Sequence, residues 1–156
     1  MHAKPPIPCV LKQCSSRRLG DPERYPAYLS LDQFMNHNGP PTEPYHRQCR
    51  KNVIDVLELL ASPDDQIEYQ NNVPHAFVPD ELICMWFDDS FRPNDQRLKD
   101  MFAENEWPTL LEFNSRYDEL HNELPSPLPQ IDALVSLPQW QSVISAARIA
   151  LRTFNS

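Results

Sequence analysis

Seventeen prolines against two glycines in 156 residues restrict this chain more than any other feature. Tight hairpins draw their φ > 0 positions from glycine, and Gly20 and Gly39 alone cannot supply a hairpin-rich fold. Proline opens helices at their first position and stops them elsewhere, so the composition predicts helices punctuated by proline. A hydrophobic content of 40%, with 10% aromatic residues, is too rich for a disordered chain. The length fits a single domain within the usual range of roughly 100–200 residues.

Residues 1–42 carry Pro5, Pro6, Pro8, Pro22, Pro26, Pro40 and Pro41, which leave room for one short turn from Ser30 to Asn36. They read as an irregular proline-rich arm on a helical body, 43–156. Tyr45, Cys49, Val53, Val56, Leu57 and Leu60 share a helical stripe that ends at Ser62-Pro63. Ser62 as N-cap, Pro63 at the first position and Asp64-Asp65 in the first turn open a second, polar helix to about Asn71-Asn72. The run Leu82-Ile83-Cys84-Met85-Trp86-Phe87 is apolar on every side, and periodicity cannot assign it. Its flanks can: Pro79-Asp80-Glu81 starts a helix and Arg92-Pro93 stops one, giving a central helix over 79–91 with Trp86 in the core.

Asn94 is the expected cap of a helix bearing Leu98, Met101 and Phe102. Pro108 opens a long helix with Leu110, Phe113, Tyr117, Leu120 and Leu124 on its inner face. After the Pro125–Pro129 break, Ile131, Leu134 and Val135 form a short helix. Pro138 begins the last, with Trp140, Val143, Ile144, Ala147 and Leu151 on one face. The expected architecture is an all-α, single-domain multi-helix bundle.

Motifs for chemistry are few. Two glycines rule out both the phosphate-binding loop and the dinucleotide fingerprint, and no His-Glu-x-x-His helix or nucleophile elbow is present. Cys9, Cys14, His46 and Cys49 have the ligand types of a structural zinc site, but only His46-x2-Cys49 has the close spacing of a zinc knuckle. Packed thiols and a surface histidine are the preferred reading, and no metal or cofactor is assigned. The four cysteines do not make a disulfide scaffold and read as ordinary reduced thiols. His75, in a Val-Pro-His-Ala loop, and His121, late on a helix, could serve as acid and base. Nothing in the sequence joins them, so they read as satisfied surface histidines. Asp88-Asp89 and Asp118-Glu119 are neighbours about 100° apart on a helix and do not converge like a catalytic pair. The start of the chain lacks the apolar stretch of a secretory signal, and no run spans a membrane, so the expected location is cytoplasmic.

Charge is distributed unevenly. Residues 53–156 hold 18 acidic and 6 basic side chains, a charge of −12, whereas residues 1–52 hold 8 basic and 4 acidic, a charge of +4. An acidic body calls for a basic partner and disfavours direct contact with nucleic acid. Trp86-Phe87-Asp88-Asp89 sets aromatic anchors beside two acids, and Asp88, Asp89, Asp95, Glu104 and Glu106 lie near the ends of two successive helices. These five form the candidate partner-binding patch.

Several segments resemble bacterial immunity proteins, particularly those of contact-dependent growth inhibition. They are Glu81–Asp89, Phe113-Asn114 with Tyr117-Asp118, Leu124-Pro125, and Pro138-Gln139-Trp140 with Val143 and Ala147. The likeness covers about residues 80–152. It implies a small cytoplasmic protein that occupies the basic active site or substrate groove of a cognate toxin domain, often a nuclease. No interface residue is carried over from it. The alternatives are a small hydrolase built on His75, His121 and a carboxylate, or a regulatory adaptor for a basic host protein.

Overall fold

The chain divides into two units, Met1–Pro41 and Thr42–Ser156. The computed structural model describes residues 43–156, so the proline-rich arm and the expected Ser30–Asn36 turn lie outside the described residues.

The body is all-α. Helix α1, Glu43–Ala61, buries Val53, Leu57 and Leu60 as its stripe requires, with Cys49 and Val56 half-buried beside them. Its C-terminal carbonyls are met from elsewhere in the fold: the Arg148 Nε donates to the Ala61 carbonyl at 2.9 Å. Helix α2, Pro63–Asn72, starts as its capping residues specify, the Ser62 hydroxyl accepting from the Asp65 N–H at 3.3 Å. Its one buried side chain is a polar one. Gln66 Nε2 donates to the Leu59 and Leu60 carbonyls, both at 3.0 Å, and Oε1 accepts from the Trp140 Nε1 at 2.9 Å. One amide thus bonds two C-terminal carbonyls of α1 and a buried indole, which ties α2 to the first and last helices.

The expected 79–91 helix is present but changes register part-way. Helix α3, Val78–Cys84, has its proline and its acids, Asp80 and Glu81, in the first turn. Met85–Ser90 then forms a π-helical segment that closes with the Phe91 N–H on the Trp86 carbonyl at 2.9 Å. Residues five apart lie roughly 140° round an α-helix, whereas an i→i+5 bond brings them into one turn. The wider turn therefore puts Trp86 and Phe91 on the same side, stacked with ring centroids 5.0 Å apart and both buried. Helix α4 is a single turn, Gln96–Lys99, shorter than its sequence suggests. Asp95, not Asn94, is its cap, accepting from the Arg97 and Leu98 N–H groups at 3.0 and 3.2 Å.

Helix α5, Glu106–Asn122, begins two residues before Pro108 and buries Trp107, Leu110, Phe113, Tyr117 and Leu120. Helix α6 is the short Ile131–Leu134, and α7, Pro138–Phe154, closes the bundle. The centre belongs to α7, which packs lengthwise on both α1 and α5, and not to the 79–91 region. The reason is its inner face: Trp140, Val143 and Ile144 are followed by Ala147 and Ala150, small enough to let two neighbouring helices approach closely.

A run of ring contacts threads this core. From one end it passes His121, Phe87, Tyr117, Phe113, Trp86, Phe91, Trp107, Phe102 and Phe154, with centroid separations of 4.7–6.2 Å. Trp86 sits near its middle, edge-on to Phe113 at 4.7 Å, with its Nε1 donating to Asn114 Oδ1 at 3.0 Å. Both Trp86 and Trp140 are fully buried, as their sequence contexts imply. The thiols do not behave alike. Cys49 is free, but Cys84 is buried and disulfide-bonded, which overturns its reading as an ordinary reduced thiol. Cys9 and Cys14 lie outside the described residues.

Candidate partner-binding surface

The five acids singled out in the sequence fall into two groups. Asp88 and Asp89 are both exposed on the π-helical segment, directly after the buried Trp86. Glu104 is exposed in the turn before α5. The other two serve the fold. Asp95 caps α4 and, with Arg92, lies within electrostatic reach of Tyr45 and Cys49 on α1. Glu106 is 8% exposed, paired with Arg50 and accepting from the Ala103 N–H at 2.8 Å. A buried, paired carboxylate makes a poor docking group, because a partner would have to break its existing bonds first. Of the five, Asp88, Asp89 and Glu104 are the exposed ones.

The π segment explains how acids and core meet there. A continuous α-helix would rotate Trp86 away from Phe91, whereas the wider turn keeps both aromatics inside while Asp88 and Asp89 face water. Phe87 turns the other way, against Tyr117 at 4.9 Å and His121 at 5.7 Å. The sequence carries the apolar and acidic halves of this string but no signal for the register change, which follows from packing Trp86 and Phe91 together.

The two histidines singled out in the sequence sit in different settings. His75 is exposed in the turn before α3, while His121 rests half-buried on Phe87 at the end of α5. His121 is thus not the satisfied surface residue its position suggests. Its Nδ1 is buried without a hydrogen-bond partner, and burial lowers its pKa from the usual 6.5 while Asp118 acts in the opposite direction. One turn earlier the Tyr117 hydroxyl is also buried without a partner, and burial holds its pKa well above 10.0. The i, i+4 spacing of Tyr117 and His121 is visible in the sequence, but their lack of partners depends on what packs against them.

For the zinc reading, the Cys49 thiol and the Tyr45 hydroxyl are hydrogen-bonded one turn apart on α1, and burial raises the thiol's pKa. Among the described residues no three His, Cys, Asp or Glu side chains are grouped to hold a metal ion. Cys9 and Cys14, the other half of that reading, lie outside them. No helix among the described residues is long and apolar enough to cross a membrane.

One feature has no counterpart in the sequence reading. A groove of about 740 Å³ runs between the outer faces of α5 and α7, with Glu112, Phe113 and Arg116 on one side and Ser142, Ala146 and Ile149 on the other. Ile149, 60% exposed, stands at its edge. No family model matches the chain, and no curated protein or solved structure is similar to it.

Proposed function

We propose that the protein is an immunity-type inhibitor that binds the basic groove of a toxin domain, a nuclease by preference. The reading is carried by the exposed pair Asp88 and Asp89, set on the π turn that follows the buried Trp86, in a region of charge −12. A nuclease groove is cationic because it binds phosphates, and an acidic surface competes for it by electrostatic attraction and physical occupation, without catalysis.

The test is the association rate with the toxin encoded beside this gene, measured against ionic strength for wild type and for the Asp88→Lys, Asp89→Lys double variant. The wild-type rate should fall as salt screens the pair, and the double variant should associate at least about tenfold more slowly at low salt. Cells expressing the toxin should lose protection with the double variant. Salt-independent association and full protection by the double variant would sink the reading. Action in the cytoplasm further requires a stable fold with Cys84 reduced, since disulfides persist in oxidising compartments. Alkylation of protein taken directly from cells reports that state.

A further inference from the structure

We infer that the groove between α5 and α7 docks an amphipathic helix with basic flanks, supplied by a protein partner. Glu112 and Arg116 are spaced to share one face of α5, with the buried Phe113 at its inner edge, as Ser142, Ala146 and Ile149 share one face of α7. Two packed helices with parallel outer rows leave a furrow that a third helix fills by the same ridge-and-groove packing. Phe113 and the small side chains of α7 give it a floor that admits close approach, and Ile149 offers a knob to its occupant.

Charge selects the occupant. Arg116 Nη1 pairs with Glu119 Oε2 at 3.2 Å, and with Glu112 also in the lining the groove carries two acids against one cation among the described residues. A second copy of the chain would bring the same acids and a net charge of −8 to the contact, whereas a helix with lysines or arginines on its flanks would meet opposite charge. The inference rests on the reading of the protein as a binder of a basic protein, and it adds the shape of the bound element and a second surface for it.

The probe is a fluorescent synthetic helix of about five turns, with an alanine and leucine face flanked by lysines, beside a twin in which every lysine is glutamate. Wild-type protein should bind the lysine peptide and not its twin. Ala146→Trp, which fills the groove, and Ile149→Ser, which removes an exposed apolar side chain without adding charge and leaves the core alone, should each weaken binding by about tenfold or more. Equal binding of the two peptides, or binding untouched by both variants, overturns the proposal. So does a dimer in sedimentation that Ile149→Ser dissociates, because the groove then belongs to a second copy. If the toxin binds through Asp88 and Asp89 while Ala146→Trp and Ile149→Ser leave both peptide and toxin binding intact, this inference fails and the inhibitor reading stands. If no toxin binds yet the lysine peptide does so in the groove, the inhibitor reading fails alone.

Discussion

The two ends of the aromatic run are finished differently. At the Phe102 and Phe154 end, the Arg50 guanidinium lies over both rings at 5.6 Å and pairs with Glu106, whose other oxygen takes the Ala103 N–H. The two charges that meet there are paired with each other. At the other end, Phe87 meets Tyr117 and His121, and two buried polar atoms, the Tyr117 hydroxyl and the His121 Nδ1, have none. A satisfied polar end fixes one arrangement, because any alternative would strand a charge. An unsatisfied end has no such penalty to enforce it, since its polar atoms gain hydrogen bonds by opening to water. The end next to Asp88 and Asp89 is accordingly the one with least to lose by moving.

If the run is a single core, the largest loss should come from its middle. Trp86→Ala removes the ring that joins Phe91 to Phe113, together with the hydrogen bond to Asn114, and should cost roughly 3–5 kcal/mol in urea unfolding. An unchanged midpoint would divide the run into two independent clusters. The paired end comes next. Arg50→Ala strips a partner from the buried Glu106 and two rings of their cation, a loss of about 2 kcal/mol, moderated because Arg50 is itself partly exposed to water. Arg50→Met, which keeps the stem packing, should recover only part of this. Full recovery would mean that the ion pair contributes nothing and that the two ends differ less than their partners imply.

Much of this was open to reading in the sequence. Ser62-Pro63, Pro79 and Pro138 mark helix starts because capping and the proline ring act locally, within one turn. The stripes of α1, α5 and α7 are legible because helical periodicity is itself local. What lay hidden is set by tertiary packing. The π register depends on Trp86 meeting Phe91, the centrality of α7 on its alanines facing two helices at once, and the burial of Glu106 on Arg50, fifty-six residues away. That pairing, with the local capping role of Asp95, is why a five-acid patch drawn from sequence proximity reduces to three exposed acids. The groove escaped for the same reason, since α5 and α7 each show it only as an ordinary outward face.

The unpaired end makes the finer test. His121 has a folded pKa below 6.5 because burial disfavours the imidazolium. As pH falls through 6.5, the unfolded chain takes up the proton first, so this residue's contribution to stability is lost on acidification and stops changing once the folded form also protonates. Above 6.5 it is neutral in both states and contributes no slope. Subtracting the stability–pH curve of His121→Gln from that of wild type isolates this residue from the exposed His75. The difference should tilt only below pH 6.5, and a flat one would mean that Phe87 does not desolvate the ring.

Tyr117→Phe should have the smallest effect and the most informative sign. Ordinarily, removing a buried tyrosine hydroxyl costs about 1 kcal/mol because a hydrogen bond is lost with it. Here the hydroxyl has no partner, so the folded state carries its desolvation without return, and the phenylalanine form keeps the ring contacts with Phe87, Phe113 and Trp140. The variant should therefore be as stable as wild type or more so, by up to about 1 kcal/mol. Hydrogen exchange at the end of α5 should slow in parallel if the bare hydroxyl is what loosens that end. A clear destabilisation would show that the hydroxyl does find a partner in solution, and the contrast between the closed Arg50 end and the open His121 end would then disappear.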